Sequence, residues 1–316
     1  MIGHALRAAQ GLDPHNLVAV VRHQRDVVAA EIQRVAPHAI IADQDEIPGT
    51  GRAVQCGLEA LDAAVTPVTG TIVVTYGDVP LLSTATLADL VDTHEGAGHA
   101  VTVLTSRVED PTGYGRIIRD ASGTVTAIVE QRDATDEQAR INEINAGIYA
   151  FDAAFLRSAL ASVGTNNDQG EVYLTDVLAA AAPAGRSAGA LELTDHWQSA
   201  GANDRVQLAE LGAELNRRIC SEHMRAGVTI VDPASTWIDV DVRLGSDTTI
   251  YPGTCLRGAT VVGDYCEIGP SATLIDAEIG DRCVVPAAWV GKGCVAADTM
   301  VRPYTTIGTL MTAHGA

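Results

Sequence analysis

Apolar residues follow two different periodicities along the chain, and the change falls shortly after residue 205. Before it, short runs of apolar and β-branched residues alternate with segments of helical periodicity. Nearly continuous apolar runs are typical of strands covered on both faces, and their alternation with helices favours parallel pairing through right-handed crossovers. The predicted strands are 17–21, 39–42, 71–76 and 100–105, and the predicted helices include 53–65 and 84–94, the latter capped by Ser83 or Thr84.

Three further strands follow without full helices between them, at 113–120, 124–131 and 144–152, so the sheet is predicted to be mixed. Residues 203–225 then carry apolar side chains at helical spacing, which predicts one long amphipathic helix. We assign residues 203–227 as a linker helix between two domains. Its apolar positions are Val206, Leu208, Leu211, Leu215 and Ile219.

After Gly227 an aliphatic residue recurs every six positions, with a few steps of five. A small residue follows four positions after several of the aliphatic ones, and Cys283 and Cys294 occupy this same offset. A six-residue repeat of this kind is typical of a parallel β-helix with flat strands and tight turns. The aliphatic positions are Leu244, Ile250, Leu256, Val262, Ile268, Leu274, Ile279, Val285, Val290, Val295, Val301 and Ile307, and the small ones include Thr248, Thr254, Thr260, Cys266 and Ala272.

Composition narrows the class of protein. The chain has 316 residues, 47% of them hydrophobic, which is enough for two domains with sizeable cores. The formal net charge of −19 argues against nucleic acid and against an anionic membrane surface as partners. The six cysteines form no C-x-x-C pair, so they are predicted to be reduced structural thiols. No apolar run approaches the ~18 residues of a membrane span, and the protein is predicted to be cytoplasmic.

The segment TIVVTYGDVPLL (71–82) ends a predicted strand with a carboxylate, Asp78. In open α/β sheets, ligands bind beyond the carboxyl ends of the strands, so Asp78 is expected to face such a crevice. Two interpretations are open. Asp78 caps the helix near Ser83, or it holds a hard divalent cation that bridges nucleotide phosphates.

The segment PGTGRAV (48–54) places Gly49 and Gly51 around Thr50 at the start of a helix. Glycines allow backbone amides to approach a ligand, and a helix N-terminus favours anions. A tight turn explains the two glycines equally well.

Seven motifs in one order, ahead of the hexapeptide repeat, carry a specific resemblance. Together they resemble the bacterial bifunctional N-acetylglucosamine-1-phosphate uridylyltransferase/glucosamine-1-phosphate N-acetyltransferase, with actinobacterial members closest. The resemblance spans nearly the whole chain. The motifs are ADQDEIPGTGRAV, VVTYGDVPLL, DPTGYGRIIRD, AIVEQRDAT, INEINAGIYAFD, NNDQGEVYLTDV and GANDRVQLAEL.

The resemblance implies roles for ten residues, position by position. Gln44, Gly49 and Thr50 resemble uracil-reading elements, and Tyr76 and Gly77 line the same pocket. Asp78 and Asn203 resemble the two Mg²⁺ ligands, and Gly115, Glu130 and Asn145 resemble residues that hold the amino sugar.

The three sugar-side residues differ in how well a purely structural role explains them. Gly115 serves a turn equally well. Glu130 beside an apolar strand needs a polar partner if it is buried. Asn145 is a poor strand former, which favours a functional role.

The fold implied is an α/β nucleotidyltransferase with a Rossmann-like mixed sheet, over residues 1–202, followed by a left-handed parallel β-helix over residues 228–316. The activity implied is Mg²⁺-dependent transfer of UMP from UTP to N-acetylglucosamine-1-phosphate. Pyrophosphate leaves, and the product UDP-N-acetylglucosamine serves cell-wall synthesis. β-Helices of this kind commonly trimerise, so a homotrimer is expected by resemblance.

The sequence departs from the family pattern at three places. The family's opening strand and glycine-rich phosphate loop precede the position of Met1, so a first β-α unit of about 30 residues is expected to be missing. Neighbouring strands would then lack a partner on one edge. Arg52 stands where the family has a histidine. At the other end the repeat dissolves into TIGTLMTAHGA, and His314 is not expected to replace the acetyltransferase base.

Two alternatives to the enzyme stay open. One is a non-catalytic remnant or assembly partner that keeps the β-helix, and the absence of the phosphate loop favours it. The retained pair Asp78 and Asn203 argues against it. The other is a nucleotidyltransferase for a different sugar phosphate, against which the EINAG and NNDQGEVYLTD motifs speak.

Overall fold

The structure is a computed structural model, and it describes residues 1–65, 68–164 and 170–308. The chain divides into two compact units, Met1–Gln207 and a second that begins at Leu208. The predicted assignment of 203–227 as a linker stays a prediction, and the helix in this region runs from Arg205 to Arg225. His314 lies outside the described residues.

The first unit is an α/β structure with helices packed on mixed-sheet strands. Its strands are β1 (Val18–Val21), β2 (Ile40–Asp43), β3 (Thr71–Val74), β4 (Val101–Arg107), β5 (Arg116–Arg119), β6 (Val125–Val129), β7 (Glu143–Asp152) and β8 (Ala188–Glu192). Its helices are α1 (Ile2–Gln10), α2 (Arg25–Val35), α3 (Thr50–Ala64), α4 (Thr84–Ala97), α5 (Ala153–Leu160) and α6 (Asp176–Ala179), with 3-10 turns at Gln138–Arg140 and His196–Ser199.

The long strand β7 organises the main sheet. β3 and β4 both pair with it in antiparallel register, and β5 pairs with its first half. β4 is parallel to β8, and β6 is antiparallel to β5. The predicted mixed sheet is therefore confirmed. The expectation that the early strands pair in parallel with one another holds for β1 with β2, but it is wrong for β3 and β4, because β7 lies between them.

Strand β3 is less buried than its apolar sequence predicts. All four residues are half-buried, whereas six of the seven residues of β4 are buried. Among the described residues, β3 hydrogen-bonds to β7 alone and β1 to β2 alone.

Helix α4 begins at the residue predicted to cap it. The Ser83 side chain accepts a hydrogen bond from the Thr86 amide at 3.1 Å, and its backbone is extended. Such a cap stabilises a helix by satisfying one of its free amides. Because Ser83 fills this role, the alternative in which Asp78 caps the helix is wrong.

The second unit opens with helix α7 (Arg205–Arg225), which crosses the boundary between the units, and continues as a parallel β-helix. Its strands form three parallel sheets, β9-β12-β15-β18, β10-β13-β16-β19-β21 and β11-β14-β17-β20. The strands are β9 (Thr229–Ile230), β10 (Trp237–Ile238), β11 (Arg243–Leu244), β12 (Thr249–Ile250), β13 (Cys255–Arg257), β14 (Val261–Val262), β15 (Glu267–Ile268), β16 (Thr273–Ile275), β17 (Glu278–Ile279), β18 (Val284–Val285), β19 (Trp289–Gly291), β20 (Cys294–Val295) and β21 (Thr306–Gly308).

The predicted repeat matches the interior of these coils. The aliphatic positions from Ile250 to Val301 are buried, and Leu244 and Ile307 pack against the same cluster. The predicted small positions from Thr248 to Ala272 are 0–1% exposed. Three flat sheets stacked in register around one aliphatic core have the arrangement of a left-handed β-helix, so the predicted fold is confirmed.

Cys294 is the one small position that was predicted wrongly. It is exposed and forms the first residue of β20, opposite Glu278. The step from Val290 to Val295 has five residues instead of six, so Gly293, and not Cys294, is the equivalent of the buried Ala277 in the coil before. Cys266 and Cys283, by contrast, are buried as predicted, and all six cysteines are free thiols.

Within the second unit, α7 covers the edge of the first coil. Asn216 donates from its side-chain amide to the Thr236 carbonyl at 2.8 Å and accepts from the Ile238 amide at 3.0 Å. The side chain thus replaces the neighbouring strand that β10 lacks on this side. Ile219 and Cys220 pack beside it on the aliphatic core.

Across the described ranges, no helix is both long enough and apolar enough to cross a bilayer.

Candidate functional site

The G-T-G segment lies against the backbone around Val172. The Gly51 amide donates to the Val172 carbonyl at 2.8 Å, and the Val172 amide donates to Pro48 at 3.2 Å. A side chain at Gly49, where φ is +116°, would place its Cβ 2.3 Å from the Val172 oxygen. The two glycines are therefore required for the close approach of another chain segment. This reason was not foreseen, since the sequence favoured a ligand or a tight turn.

Thr50 links this contact to Tyr76. The Thr50 hydroxyl accepts from the Leu174 amide at 3.3 Å and shares a hydrogen bond with the Tyr76 side chain. Burial raises the pKa of Tyr76 to about 12, with further increases from the charges of Glu130 and Asp78. Tyr76 is therefore a neutral hydrogen-bonding group at any physiological pH, and it lies within the electrostatic range of both carboxylates.

Gly147 provides the space that the Tyr76 ring occupies. Its φ is +75°, and a Cβ there would lie 2.1 Å from a ring carbon of Tyr76. The glycine in the motif INAGIYAF was not singled out as functional, although a glycine inside a strand is a recognisable signal of close approach. Gly77, next to Tyr76, is exposed and faces the Ile2 side chain of α1.

Asp78 lies in the turn that follows β3, four residues after Val74, and not directly at the end of the strand. Its backbone carbonyl accepts from the Ala202 amide at 3.2 Å, and its carboxylate lies 3.3 Å from the position a Cβ on Gly201 would take. Within the described residues, no group donates a hydrogen bond to this carboxylate and no basic side chain forms an ion pair with it. Asp78 thus presents a free carboxylate beside the 201–203 loop.

Asn203 is the next residue of this loop. Its side chain is exposed, and its backbone amide donates to Gln207 at 2.7 Å. Asp204 caps α7 by accepting from the amides of Val206 and Gln207, both at 2.8 Å. The helix start therefore fixes the loop, while the amide of the Asn203 side chain has no hydrogen-bonding partner in the part of the chain described.

Gly115, Glu130 and Asn145 come together on adjacent strands. The Asn145 amide donates to the Gly115 carbonyl at 2.9 Å, and a Cβ on Gly115 would lie 3.5 Å from a carboxylate oxygen of Glu130. The positive φ of this turn is at Gly113 (+90°). The interpretation that Gly115 serves a turn is therefore wrong. Neighbouring side chains, and not a positive φ, restrict the size of the residue at position 115.

The Asn145 side chain has local partners that its strand position requires. Its oxygen accepts from the Gly147 amide at 2.9 Å, and its nitrogen donates to the Tyr149 hydroxyl at 2.7 Å. The register of β7 against β4 shifts at this point, between Val103 and Thr105. Asn145 is thus held in one orientation at a strand irregularity.

Glu130 forms one wall of a cavity of ≈ 270 Å³. The Thr175 hydroxyl donates to it at 3.3 Å. Burial raises the pKa of Glu130, and the charges of Asp133 and Asp176 raise it further, while the Thr175 hydrogen bond opposes the shift. Burial likewise raises the pKa of Asp176. The cavity is lined by Ile128, Val129, Glu130, Asp133, Tyr173, Thr175 and Asp176.

Replacing Glu130 by glutamine is expected to stabilise the protein at neutral pH and to lose this advantage in acid. The folded-state pKa is raised above the ordinary value of 4.5. The contribution of Glu130 to stability is therefore fully present below 4.5 and is lost as pH rises through the folded-state pKa. Thermal unfolding of both proteins near pH 4.5 and near pH 7.5 measures the effect, with the exposed Glu109→Gln as control. A Tm difference that does not change between the two pH values would contradict it.

Arg116, beside Gly115, is a buried cation that the sequence analysis did not single out. It is 1% exposed and forms no ion pair with any described residue. Its guanidinium donates to the Tyr114 carbonyl, to Gln131 at 2.6 Å and to the Ala139 carbonyl at 3.3 Å. It therefore joins the segments around Tyr114, Gln131 and Ala139, and the first two of these adjoin Gly115 and Glu130. The sequence did offer a signal for a buried cation here, since Arg116 stands between a glycine and two isoleucines.

The Gln44 amide is fixed by its own loop. Its nitrogen donates to the carbonyls of Ile47 and Gly49, both at 3.1 Å. Both amide hydrogens are thereby used, and the side-chain oxygen is the group left to accept a hydrogen bond from a ligand.

Contacts therefore link most of the predicted residues to one another. Gln44 contacts Gly49, Thr50 contacts Tyr76, and the charges of Asp78 and Glu130 both act on Tyr76. Asp78 contacts the loop that carries Asn203. In the described ranges, no three His, Cys, Asp or Glu side chains cluster as a metal site. A metal bound here would have to rely on few protein oxygens.

The α/β fold and the polar residues around Tyr76 point to one class of protein. Residues 1–240 match the family described as nucleotidyl transferase, so the protein belongs to the nucleotidyl transferase family.

Individual relatives make the relationship more specific. The chain is 54% identical over 314 residues to the bifunctional protein GlmU of Pseudarthrobacter chlorophenolicus. The matched region covers 98% of this chain and 64% of the relative. It is 52% identical to the bifunctional protein GlmU of Kineococcus radiotolerans (98% and 63%) and 51% identical to that of Corynebacterium glutamicum (98% and 65%). The predicted resemblance is confirmed. The chain spans somewhat less than two-thirds of the length of these relatives.

Proposed function

We propose that this protein transfers a uridylyl group from UTP to N-acetylglucosamine-1-phosphate, giving UDP-N-acetylglucosamine and pyrophosphate. The observation that carries the proposal is the free Asp78 carboxylate, which lies against the 201–203 loop. The charges of Asp78 and Glu130 both raise the pKa of Tyr76, so both carboxylates lie near this side chain. A carboxylate without a protein partner is costly unless it has solvent or a cation to interact with. Family membership supports nucleotidyl transfer as the reaction class.

The reaction requires alignment and charge neutralisation more than covalent chemistry from the protein. A phosphate oxygen of the sugar phosphate forms a bond to the α-phosphorus of UTP, and the bond between that phosphorus and the bridging oxygen to the β-phosphate breaks. The electron pair leaves with pyrophosphate. Such a transfer is accelerated mainly by holding the two substrates in line.

The residues present fit a hard divalent cation, and we infer that Asp78 and Asn203 hold Mg²⁺. The Asp78 carboxylate has no hydrogen-bond donor among the described residues, and Asn203 supplies an exposed amide oxygen on the loop that contacts Asp78. Mg²⁺ commonly uses only one or two protein oxygens. When bound, the ion supplies positive charge next to the phosphates.

The two sides of the site suit the two substrates. The fixed Gln44 amide offers an oxygen, which suits the N3–H of uracil and disfavours cytosine, whose N3 is itself an acceptor. On the other side, Glu130 and Asn145 provide oriented groups for the hydroxyls and the acetamido group of the sugar. Tyr76, kept neutral, borders both sides.

Pyrophosphate release from UTP and N-acetylglucosamine-1-phosphate, with and without Mg²⁺, tests the proposal. We expect release that depends on both substrates and on the metal. Replacing the sugar phosphate by glucose-1-phosphate is expected to reduce the rate, since the acetamido group then has no counterpart. A folded sample that binds neither substrate would favour the non-catalytic alternative, and a preference for glucose-1-phosphate would favour a different sugar phosphate.

We also propose that the β-helix assembles into a homotrimer. Exposed apolar side chains on the second unit support an interface there, Trp237, Val261, Tyr265 and Met300 among them. Sedimentation equilibrium measures the assembly, and a monomer at all concentrations would refute it.

A further inference from the structure

Arg52 lies in the first turn of α3, and its guanidinium connects the helix to the neighbouring loop. Its Nε and Nη2 donate to one carboxylate oxygen of Asp45 at 2.9 and 2.6 Å. Its Nη1 donates to Glu59 at 2.9 Å and to Gln55 at 3.2 Å. The side chain is only 18% exposed. All three nitrogens of the guanidinium therefore have partners on the protein.

Residues 44–49, here termed the base loop, are closed mainly by side-chain hydrogen bonds. The second oxygen of Asp45 accepts from the Ile47 amide at 3.1 Å, while Gln44 donates to Ile47 and Gly49. Asp45 is thus held on one oxygen by Arg52 and on the other by the loop itself. Because Gln44 is the adjacent residue, any displacement of Asp45 displaces the Gln44 amide.

The charge on Arg52 is already compensated. Hydrogen bonds to Asp45 and Glu59 raise the pKa of Arg52 and, in turn, the guanidinium lowers the pKa of Asp45. Two carboxylates around one cation leave no uncompensated positive charge for a phosphate. An effect of Arg52 on the nucleotide therefore passes through Asp45.

A second arginine contacts the residue just before the base loop, in a more exposed setting. Arg25 pairs with Asp43, immediately before the base loop, at 2.8 Å. The side chains of Arg25 and Asp43 are 48% and 60% exposed. Arg25 also contacts Asp26, whose side chain is 94% exposed. Exposed ion pairs of this kind contribute little, whereas a partly enclosed guanidinium with several partners fixes geometry.

We propose that Arg52 is a positioning residue that holds the base loop so that Gln44 presents its oxygen, and not its nitrogen, to the nucleotide base. The inference rests on the proposed function. It assigns Arg52 a part in selecting uracil over cytosine without contact to the nucleotide. With Arg52 removed, the base loop loses its tie to α3 and the Gln44 amide becomes free to turn. Both UTP affinity and discrimination against CTP then fall.

The test compares Arg52→Gln with Arg25→Gln in the full chain, by calorimetric titration with UTP and with CTP in the presence of Mg²⁺. Arg52→Gln is expected to weaken UTP binding about tenfold, or ~1.4 kcal/mol, and to lower the UTP/CTP ratio by a similar factor. The KM for N-acetylglucosamine-1-phosphate is expected to stay within about twofold. Arg25→Gln is expected to leave UTP binding and the ratio unchanged.

Arg52→Lys and Asp45→Asn complete the design. The lysine keeps one contact to Asp45 and is expected to restore part of the selectivity. Adding Asp45→Asn to Arg52→Gln is expected to cause little further loss, because both changes remove the same contact. If Arg52→Gln instead lowers Tm and impairs both substrates alike, Arg52 is a structural residue and the inference is overturned.

The outcomes also separate this inference from the proposed function. A wild-type protein that binds no uridine nucleotide contradicts the proposed function itself, and the positioning role with it. A wild type that binds UTP selectively, with an Arg52→Gln variant that keeps the same affinity and selectivity, overturns the inference alone.

Discussion

Replacing Asp78 by asparagine is expected to reduce Mg²⁺-dependent pyrophosphate release by about 10²–10³-fold, the loss typical of a group that stabilises charge in the transition state. The same change is expected to leave Tm within experimental error. No described residue donates a hydrogen bond to the Asp78 carboxylate, so the folded state loses no contact with it. Steady-state kinetics and thermal unfolding on one preparation measure both quantities.

The matched control is Ser83→Ala, five residues further along. It removes the cap of α4 and is expected to cost about 1 kcal/mol of stability while leaving turnover unaffected. Asp78→Asn is therefore expected to lose activity without losing stability, and Ser83→Ala to lose stability without losing activity. An Asp78 variant that unfolds at lower temperature with its activity retained would assign Asp78 to the fold and remove the main support for a nucleotidyl transfer site.

Replacing Gly49 by alanine is expected to destabilise the protein by about 2–4 kcal/mol, from backbone strain together with overpacking. The added Cβ would lie 2.3 Å from the Val172 carbonyl oxygen and 2.6 Å from its nitrogen. A backbone neighbour cannot turn aside as a side chain can, so Pro48–Gly51 and the Val172 segment must separate. Chemical denaturation measures the loss, and UTP binding is expected to weaken with it.

Gly123→Ala is the control for strain alone. Its φ is +86°, but no atom lies within 4 Å of the position of the new Cβ. It is expected to cost about 1 kcal/mol. If the two alanine variants lose equal stability, the contact with Val172 is not what requires a glycine at position 49.

The β-helix could be predicted in detail because its interior repeats one simple requirement. Each coil needs an aliphatic side chain at each face, and the spacing of Ile250, Leu256 and Val262 states this directly. The prediction failed only where a coil shortens, at Cys294, since a five-residue step moves the inward position by one. Local spacing cannot tell which turn absorbs the missing residue.

The sheet of the first unit was predicted less completely. β7 inserts in antiparallel register between β3 and β4, and this arrangement depends on pairing between residues 36 to 81 positions apart. Local apolar runs give no information on such pairing. Strand β8 (Ala188–Glu192) was missed because its small residues and glycine have low strand propensity.

Most of the site was assigned by resemblance, and the contacts that shape it were not. Nothing in the periodicity marks Glu130 or Asn145 as neighbours. Thr175 and Asp176, which line the cavity beside Glu130, interrupt an apolar run between Leu174 and Val177, and this interruption was an available signal. The role proposed for Arg52 could not be read from the sequence, because its partner Asp45 approaches it only through the fold of the loop.

The contact of Pro48–Gly51 with Val172 has a consequence for how such proteins diverge. Leu174 and Thr50 are 124 positions apart, yet two of the bonds between their segments join backbone atoms. The hydrogen bonds do not depend on the side chain at 172, whereas position 49 tolerates no side chain at all. Correlated substitution between positions 49 and 172 is therefore not expected. What evolution must keep in step is their length, because an insertion in either one would separate the two segments.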